Sequence, residues 1–562
     1  MKNKEISKIL YEIADFLEIK GVKYKPRAYR KAARNIEALT EDVENIYERR
    51  ELKEIEGVGE SIAEKISKYL ETGELEYYER LRKDVPVDIE NLTNVEGLGP
   101  KSVKKLYNSL GIETLEDLEE AAKAGRIADV KGFGEKIQEK ILENIDAARM
   151  GRERKLIGRI FPLVQDLKKR IQGKDVFERV NIVGSYRRRN PTIGDIDVLA
   201  LSDDSEEAME EFCNLNDVEE VLAKGDTKSS IIISGNIQVD LRIVDEVSYG
   251  SALMYFTGSK DHNVSIRSKA KGRDWKLNEY GLFDSNDERL AGEKEEEVYD
   301  KLDMSFIPPE LRENTGEIES AERGSLPDLV ERVDIRGDLQ IHSNYSDGSA
   351  SMREMVENAE EIDLDYVLFS DHGPSLKIAG GLSEKEFDEQ SGEVEELNDE
   401  FDVEILLGVE ANIVEDGLDI SKDWCEKCDF LSVAMHNRPK DATDRILSVF
   451  ENYPVDIWVH PLGRQFFSRD PLDIDLDKIV DKTEEEHIAI EISSQPERLD
   501  LDWRNVKKYR DKADYVISTD AHSTTELDFM RFGVSQARKG WCNEDSVLNT
   551  KSIDKARSYL NG

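Results

Sequence analysis

Several residue types that define whole classes of protein are scarce in this chain. It has only 4 cysteines in 562 residues, too few for a disulfide framework, which predicts a reducing compartment. No run approaches the roughly 20 apolar residues of a membrane helix, and residues 1–17 mix charged and apolar side chains instead of forming a signal peptide. These absences predict a cytoplasmic protein without a membrane partner.

Two of the cysteines, Cys425 and Cys428, have the C-x-x-C spacing of redox and zinc motifs. No second pair completes a zinc site, and the surrounding sequence has no thioredoxin-like strand-helix-strand pattern. We therefore interpret both residues as ordinary free thiols.

Positive charge is also scarce, with 79 Lys and Arg against 122 Asp and Glu and a net charge of -43. A nucleic-acid partner needs cations, but the acidity is uneven. The net charge is -5 in residues 1–150, -10 in residues 151–320 and -28 in residues 321–562. Residues 152–189 contain 12 basic and 4 acidic side chains, so we expect a polyanion to bind near this basic stripe.

Length and periodicity divide the chain into several parts. At roughly 100–200 residues per domain, 562 residues predict about three to five domains. Apolar residues recur at three- and four-residue spacing in residues 1–150, which predicts helices. Three segments there repeat a turn between helices at intervals of about 35–40 residues. Their sequences are Ile55-Glu-Gly-Val-Gly59, Val95-Glu-Gly-Leu-Gly99 and Val130-Lys-Gly-Phe-Gly134.

The paired glycines of these segments permit a tight turn whose backbone N–H groups, at the start of the next helix, face a phosphate. The pattern resembles the helix-hairpin-helix motif, which binds the DNA backbone without reading its sequence. The resemblance implies DNA contacts at six glycines: Gly57, Gly59, Gly97, Gly99, Gly132 and Gly134.

From about residue 177 the period changes to two, which predicts strands at residues 179–183, 196–201 and 231–244 with a hairpin turn at Gly235 and Asn236. Pro, Gly and charged residues near 308–327 predict a linker. Beyond it, short apolar runs alternate with helical stretches, which predicts a parallel sheet or barrel with ligands at the carboxyl ends of its strands. These runs are residues 366–369, 403–407, 430–434, 457–459, 488–492 and 515–517.

A cluster of acids is predicted on the first of these sheets. Residues 184–188 (Gly-Ser-Tyr-Arg-Arg) precede Asp195 and Asp197, which are two apart and so face the same side of a strand. Asp240 lies on the polar face of the next hairpin and supplies a third carboxylate. Three acids beside a Gly-Ser turn and two arginines predict a two-metal phosphoryl-transfer site. One cation would lower the pKa of an attacking hydroxyl, and the other would hold a triphosphate.

These residues resemble the palm of the family X DNA polymerases, the DNA polymerase beta-like nucleotidyltransferases, and the resemblance covers residues 1–320. It implies that Asp195, Asp197 and Asp240 bind two Mg2+ or Mn2+ ions and that Asp240 activates the primer 3′-hydroxyl. Further positions match the family's nucleotide-binding groups. They are Ser185, Arg188 and Gly194 for the triphosphate, Tyr255, Phe256 and Gly258 for the sugar, and Asn263 and Arg267 for the nascent base pair and template. His262 matches no such role, and we expect it on a helix surface.

The amino-terminal segment matches the family's 5′-phosphate and lyase domain at Lys25, Tyr29 and Lys65. Lys65 stands where the family has its Schiff-base lysine, whose pKa must be lowered for nucleophilic attack at neutral pH. Ser61, however, stands where better-known members have a phosphate-binding lysine. Lyase chemistry and an ordinary backbone-phosphate contact therefore both remain open for Lys65.

Five of the 7 histidines lie at expected strand ends in residues 321–562, and Glu410 is expected to end a strand in the same way. Imidazole and carboxylate groups together suit a cluster of Zn, Mn or Fe ions. Residues 333–562 resemble the PHP (polymerase and histidinol phosphatase) domain, a distorted seven-stranded barrel that holds three metals. The resemblance implies these ligands: His342, Asp347, His372, Glu410, His436, His460, Asp520 and His522.

Two positions of this region depart from that ligand set. Gln340 stands where many members have the first histidine of an H-x-H pair, which implies a weaker metal site or a harder ion there. His487 precedes its strand, and we expect it to be structural.

The expected fold class is multidomain, α+β and α/β. We expect a helical lyase-like region with a helix-hairpin-helix (1–80), a second helix-hairpin-helix region (81–150), a palm with a mixed sheet (151–250), a nascent-base-pair subdomain (251–320), a linker (321–332) and a (β/α)7 PHP barrel (333–562).

Both resemblances imply a family X DNA polymerase that fills short gaps in DNA repair and carries a 3′-5′ exonuclease, with abasic-site cleavage as a second candidate activity. Its partners would be gapped or primer-template DNA and dNTPs, and we expect a monomer. Its cofactors would be Mg2+ or Mn2+ in the palm and up to three Mn, Zn or Fe ions in the barrel. Two alternatives remain: a polymerase fused to a small-molecule phosphatase, and a non-catalytic DNA-repair scaffold.

Overall fold

The computed structural model describes the chain apart from residues 1, 21, 23–24, 38–42, 56, 73–74, 76, 79, 82–84, 86, 89–91, 93–94, 96–97, 99, 135–136, 139–140, 143–153, 236 and 561–562. The chain divides into two compact units, Met1–Arg154 and Lys155–Gly562. None of the helices in the described ranges is long and apolar enough to cross a membrane.

The first unit is helical, as its periodicity predicts. Its fully described helices include α1 (Lys2–Ile19), α2 (Lys25–Glu37), α3 (Val43–Glu48), α4 (Glu60–Thr72), α5 (Pro100–Leu110) and α6 (Leu115–Lys123). Their apolar faces share one core, in which Ile13 and Ala32 are completely buried. α6 begins at a capping box, because the Thr114 side chain accepts from the backbone N–H of Asp117 and the Asp117 side chain accepts from that of Thr114.

The second unit begins with a mixed sheet. Its strands and helices are β1 (Lys155–Leu156), α7 (Ile157–Gln172), β2 (Arg179–Ile182), α8 (Gly184–Arg187), β3 (Thr192–Ile193), β4 (Ile196–Leu201), α9 (Ser205–Cys213), β5 (Val218–Lys224), β6 (Lys228–Ile233) and β7 (Ile237–Val244). The five-stranded sheet has the order β2-β4-β7-β6-β5, in which β4 and β7 are parallel and the other neighbours are antiparallel. β1 pairs with β3.

The hairpin predicted within residues 231–244 is confirmed, since β6 and β7 pair from Ile233 and Ile237 outwards. Gly235 has a φ of 87°, a conformation that glycine adopts without strain. Asn236 lies outside the described residues. Along β7, buried residues alternate with partly exposed ones, so one face packs on the core and the other is available for a site.

A small subdomain follows the sheet. It contains α10 (Tyr249–Thr257), α11 (Lys260–Lys271), β8 (Lys276–Asn278), β9 (Gly281–Phe283), β10 (Arg289–Ala291), α12 (Glu295–Lys301) and α13 (Glu317–Glu322). The three strands are antiparallel in the order β10-β9-β8. Its core includes Met254, Tyr299 and also Trp541, a residue from the end of the chain.

The rest of the chain forms a barrel. Its strands are β11 (Gly337–Ile341), β12 (Tyr366–Phe369), β13 (Glu404–Val414), β14 (Gly417–Leu418), β15 (Phe430–Ala434), β16 (Ile457–Trp458), β17 (Ala489–Ser493) and β18 (Tyr515–Ser518). Except for β14, which pairs antiparallel with β13, neighbouring strands are parallel in the order β11-β12-β13-β15-β16-β17-β18. Backbone bonds from His342 N to Ala521 O (2.8 Å) and from Asp520 N to Gln340 O (3.0 Å) join its first and last strands.

Helices alternate with the barrel strands, as predicted. They are α14 (Met352–Glu361), α15 (Glu384–Asn398), α16 (Lys422–Cys425), α17 (Ala442–Asn452), α18 (Leu476–Glu485), α19 (Trp503–Tyr509), α20 (Met530–Lys539) and α21 (Ile553–Leu560). The strands β11, β12 and β15 are buried along their whole length, because helices cover one face and the barrel interior the other.

The prediction that a strand ends at Glu410 is wrong. β13 continues to Val414 because its first half pairs with β12 and its second half with β15. Glu410 is nevertheless level with the segment that follows β12, since His372 forms an isolated bridge with it.

Candidate active sites

The mixed sheet brings two of the predicted palm acids together. Asp197 and Asp240 are register partners on β4 and β7, and neighbouring strands lie about 4.8 Å apart. Asp195 comes directly before β4 and is exposed. Burial, together with the Asp195 and Asp240 carboxylates, raises the pKa of Asp197 to about 7. Divalent cations relieve this kind of like-charge cluster, so the three acids fit the predicted cation site.

Asp240 is also held by two neighbouring side chains. Its Oδ2 lies 2.9 Å from Lys228 Nζ, and its Oδ1 accepts from Gln238 Nε2 at 2.9 Å. Burial acts to raise the pKa of Asp240, but the hydrogen bonds outweigh it and the pKa lies below its usual value. The sequence pattern missed Lys228, whose one signal is its place on the strand that pairs with β7.

The residues predicted to hold a triphosphate lie beside these acids. Gly184 begins α8 with a φ of 62°, and a Cβ there would lie 2.2 Å from Asp197 Oδ2, so only glycine fits. Ser185 follows within α8, and Gly194 precedes Asp195. Arg188 comes directly after α8 and donates to the backbone oxygen of Thr257.

The predicted sugar and base-pair residues form one connected set. A Cβ on Gly258 would lie 3.0 Å from Arg188 Nη1, so a residue predicted to border the sugar lies against one predicted to hold the triphosphate. Asn263 Nδ2 donates to the backbone oxygen of Tyr255 at 2.7 Å, and Arg267 Nε donates to the backbone oxygen of Asn263 at 3.3 Å. The rings of Tyr255 and Phe256 pack edge to face, 5.3 Å apart.

The prediction that His262 lies on a helix surface is wrong. Its side chain is fully buried, with Nδ1 2.8 Å from Glu317 Oε1 and Nε2 3.1 Å from the Tyr299 hydroxyl. Burial lowers its pKa. The partners come from α12 and α13, so this histidine fixes α11, the helix that carries Asn263, against the rest of the subdomain.

A second buried network supports the palm. Arg187 donates to both carboxylate oxygens of Glu295, at 2.9 and 2.8 Å, and Arg312 also donates to Glu295. Burial acts to raise the pKa of Glu295, but the Arg312 and Arg187 guanidiniums outweigh it and lower that pKa to about 2. Arg187 therefore links α8 to α12 through Glu295, and we do not count it among the residues predicted to bind the triphosphate.

Much of the basic stripe is neutralised within the protein. Six of its residues pair with carboxylates elsewhere in the second unit: Arg159, Arg170, Lys174, Arg179, Arg187 and Arg188. The stripe therefore offers a polyanion fewer cations than its charge count of 12 basic and 4 acidic residues indicates.

The barrel brings all the predicted PHP ligands together. Three groups have ligand atoms that all lie within 4.8 Å of one another: His342 with Asp347, His372 and His522; His372 with Glu410 and His436; and His342 with Glu410 and Asp520. His460 joins them, since its Nε2 lies 3.1 Å from Glu410 Oε1. This donor set of imidazoles and carboxylates suits divalent transition-metal ions.

Glu410 is at the centre of this cluster. Nitrogen atoms of four imidazoles lie 3.1 to 3.6 Å from its oxygens, those of His342, His372, His436 and His460. In the described part of the chain, the buried atoms without a hydrogen-bond partner include Nδ1 of His342 and His460 and Oε1 of Gln340. Unpaired buried polar atoms cost about 1–3 kcal/mol each, so their presence here fits a cluster built around cations.

The two positions that depart from the predicted ligand set lie differently relative to the cluster: Gln340 contacts it, and His487 does not. Gln340 Nε2 donates to Glu410 Oε2 at 2.7 Å, so the residue supports a predicted ligand. Turning its amide would offer the oxygen to the cluster instead. His487 is exposed, precedes β17 and contacts the Tyr559 ring, away from the ligand groups.

Three residues that support the ligands were not predicted. Asp371 accepts from the backbone N–H and hydroxyl of Ser343 and so orients the segment that leads to Asp347. Glu491 accepts from the backbone N–H of His460, and Arg498 Nε lies 3.6 Å from Asp520 Oδ2. Sequence offered a signal for Asp371, which directly precedes His372, whereas Glu491 lies in the middle of β17 and had no such signal.

In the first unit, Lys65 lies on α4. Its Nζ donates to the backbone and side-chain oxygens of Ser61, both at 2.8 Å, and lies 4.9 Å from the centre of the Tyr77 ring. Burial lowers the pKa of Lys65, with Glu64 opposing this and Lys25 adding to it. Tyr29 is buried, and burial raises its pKa. Lys25 is exposed.

Two of the glycine turns have the same geometry. Gly57 has a φ of 86° and Gly132 a φ of 96°. The carbonyl of Gly59 accepts from Ile62 N and Ala63 N, and the carbonyl of Gly134 accepts from Ile137 N and Gln138 N. The Gly59 turn therefore leads into α4, and the Gly134 carbonyl caps the helical backbone at Ile137 and Gln138. Gly97 and Gly99 lie outside the described residues, just before α5.

The four cysteines are free thiols, as expected. Cys425 is buried, and burial raises its pKa to about 11. Burial also raises the pKa of Cys428, whose Sγ lies 3.7 Å from the Trp424 carbonyl. Thiols with raised pKa values are poor nucleophiles and poor metal ligands at neutral pH.

Comparison with known proteins finds relatives for most of the chain. Family models match it as a helix-hairpin-helix domain (residues 1–75), a SAM-like helix-hairpin-helix tandem (89–146), a DNA polymerase beta thumb (252–313) and a PHP domain (338–519). The chain is similar to the DNA polymerase/3′-5′ exonuclease PolX of Bacillus subtilis (strain 168), with 34% identity over 100% of this chain and 99% of that protein.

Two further relatives match a part of the chain. DNA polymerase lambda of Rattus norvegicus is 26% identical over 50% of this chain and 49% of its own length. DNA polymerase lambda of Arabidopsis thaliana is 24% identical over 55% of this chain and 62% of its own length. The full-length match to PolX, with the thumb and PHP matches, shows that the chain belongs to the family X DNA polymerases that carry a PHP domain.

Proposed function

We propose that this protein fills short gaps in DNA as a template-directed DNA polymerase and removes nucleotides from 3′ ends with its barrel. The observation that carries this proposal is the presence of two separate acid clusters in one chain. The palm acids Asp197 and Asp240 are paired on adjacent strands, and the barrel ligands surround Glu410.

In the palm, Asp195, Asp197 and Asp240 would hold two Mg2+ or Mn2+ ions. Bound cations supply the charge that acidifies a 3′-hydroxyl and stabilises a pyrophosphate leaving group. Ser185 and Arg188 lie where they would bind the triphosphate. Asp240 would accept the proton of the primer hydroxyl, and Tyr255, Phe256 and Gly258 would border the sugar.

In the barrel, the eight predicted ligands would hold up to three Mn, Zn or Fe ions. Arg498, 3.6 Å from Asp520, would pair with the phosphate of the nucleotide that is removed. Asp371 and Glu491 fix the segments that carry Asp347 and His460, so the ligands keep their positions while a strand enters and leaves.

DNA would be held mainly by the glycine turns of the first unit. Gly57, Gly59, Gly132 and Gly134 form the two described turns, and backbone N–H groups at such turns bind phosphates without regard to sequence. This assignment agrees with the internal pairing of the basic stripe.

The test uses the purified chain with a duplex that has a one-nucleotide gap and a labelled 3′ end, in Mg2+ or Mn2+. We expect incorporation of the complementary dNTP alone, and degradation of a mismatched end when dNTPs are absent. Incorporation that ignores the template base would contradict the polymerase proposal. An intact 3′ end in every metal would contradict the exonuclease proposal.

We also propose 5′-deoxyribose-phosphate lyase activity for Lys65, because burial lowers its pKa as a Schiff-base lysine requires. Borohydride should trap a covalent adduct of the wild type with an incised abasic duplex, and Lys65→Ala should lose that adduct. If the wild type forms no adduct, the lyase proposal fails, and weakened DNA binding by Lys65→Ala would then identify the lysine as a phosphate contact.

A further inference from the structure

Lys539 links the barrel to the palm. It is the last residue of α20, and its side chain is only 1% exposed. Its Nζ lies 3.0 Å from the backbone oxygen of Arg188, 3.0 Å from Asn190 Oδ1 and 2.8 Å from Glu313 Oε1. These acceptors all belong to the palm and the small subdomain that follows it, so a lysine of the barrel is buried among residues of these two parts.

The Glu313 carboxylate connects Lys539 to the nucleotide side. Arg188 Nε donates to Glu313 Oε1 at 3.2 Å, and this is the same oxygen that Lys539 contacts. Arg188 is the position that we assign to the triphosphate. One carboxylate oxygen therefore joins a lysine of the barrel to an arginine of the proposed nucleotide site.

The segment around Glu313, residues 309–315, has contacts on both sides. From the barrel, Arg538 Nε donates to Glu310 Oε1 at 3.0 Å and Lys507 Nζ donates to Thr315 Oγ1 at 2.9 Å. On the side of the predicted sugar residues, the backbone N–H of Ser259, next to Gly258, donates to the backbone oxygen of Arg312 at 3.1 Å. The barrel and the sugar-side residues therefore contact the same segment, within which Glu313 alone of these contacts faces Arg188.

Charge balance gives Lys539 a specific effect. Glu313 is 18% exposed and faces two cations. Without Lys539, its charge would be opposed by Arg188 alone, so the carboxylate would compete with a triphosphate for that guanidinium and would repel the nucleotide. We propose that Lys539 is a positioning residue of the polymerase site, which neutralises Glu313 and so leaves Arg188 able to bind the incoming triphosphate.

This inference rests on the polymerase activity proposed above, and it makes the PHP barrel a part of the nucleotide site. The test is Lys539→Met in the full chain, with single-nucleotide incorporation on a gapped duplex. We expect KM for the dNTP to rise on the order of tenfold, with kcat within about twofold of wild type. Exonuclease activity on the same preparation should stay within about twofold and serves as the check on folding.

Two further variants distinguish two causes of a raised KM: the uncompensated charge of Glu313, and a general loosening of the contact between barrel and palm. Arg538→Met alters a neighbouring barrel cation that contacts Glu310 and the Val330 oxygen, and it should leave KM nearly unchanged. Glu313→Gln added to Lys539→Met removes the uncompensated carboxylate and should bring KM back towards wild type. If Lys539→Met also loses exonuclease activity, Lys539→Gln, which keeps N–H donors without the charge, replaces it under the same criteria.

Three results would overturn the inference: an unchanged KM in the Lys539 variant, an equal rise in Arg538→Met, or a double variant whose KM is no lower than that of Lys539→Met. A wild-type chain without template-directed incorporation would instead overturn the proposed function. The two failures are therefore distinguishable within one set of assays.

Discussion

The palm and the barrel differ in how closely each brings its candidate metal ligands together when no substrate is bound. In the barrel, three groups of ligand atoms lie within 4.8 Å of one another, and Glu410 is almost completely buried among imidazoles. Among the described residues of the palm no such group exists, Asp195 is exposed, and Lys228 pairs with Asp240. The barrel has the character of a resident metal centre, and the palm that of a site completed by its substrates.

The physical reason is the shape of each sheet. A closed parallel barrel directs the carboxyl ends of its strands towards one point, so ligands from distant segments converge without a substrate. The palm sheet is open, and Asp197 and Asp240 lie on the partly exposed face of β4 and β7. Protein cations balance them there, and nucleotide and DNA would bring the remaining charges and ligands.

The largest expected effect is on incorporation. Asp195→Asn combined with Asp197→Asn should lower incorporation on the order of 10³-fold, because the cations would lose two of their three carboxylates. Exonuclease activity should stay within about twofold, since the two sites share no ligand. Primer extension and 3′-end degradation are measured on the same labelled duplex, and parallel loss of both would contradict two independent sites.

The matching change in the barrel is Glu410→Gln. Exonuclease activity should fall on the order of 10²- to 10³-fold, because the residue contacts four imidazoles of the cluster. Metal retained after gel filtration, measured by elemental analysis, should fall with it, while incorporation continues. Retention of the wild-type metal content would show that the barrel does not need Glu410 to bind its metal ions.

A smaller effect is expected from Gln340→His, which adds an imidazole beside His342. We expect metal affinity, measured by competition with a chelator, to rise about tenfold. A fall in affinity would instead show that the hydrogen bond from Gln340 to Glu410 matters more than an extra ligand.

The smallest effect is expected from Lys228→Met. Removing the side chain that pairs with Asp240 should lower the Mg2+ concentration for half-maximal incorporation by about threefold, because the partly exposed lysine competes with the cation. Lys224→Met, which removes a lysine of β5 that pairs with Glu210 of α9, is the matched control. A higher Mg2+ requirement in Lys228→Met would mean that Lys228 assists catalysis instead of competing.

Much of the fold and of the grouping of the candidate site residues could be predicted from sequence, because the signals are local. The strand predicted at residues 196–201 matches β4, and the eight predicted barrel ligands follow strand-like runs that the structure brings to one point. The errors arise from tertiary packing. β13 passes Glu410 because it changes neighbours, and His262 is buried because two later helices cover it.

Other features had no local signal at all. Lys539 and Arg188 are 351 residues apart, and Glu313 looks like any surface acid in the sequence. The basic stripe appeared as free charge because its partners, such as Glu295 and Glu313, lie far along the chain. Pairings of this kind become visible only when the fold is known.

The most direct test of the contrast is equilibrium Mn2+ binding to the wild type, Glu410→Gln and the Asp195/Asp197 double variant, with and without gapped DNA and a non-hydrolysable dNTP. We predict that the wild type binds Mn2+ without substrates in sites that Glu410→Gln loses, and that further sites form only with both substrates and are lost in the double variant. Full binding at the palm without substrates, or unchanged binding in Glu410→Gln, would contradict this account.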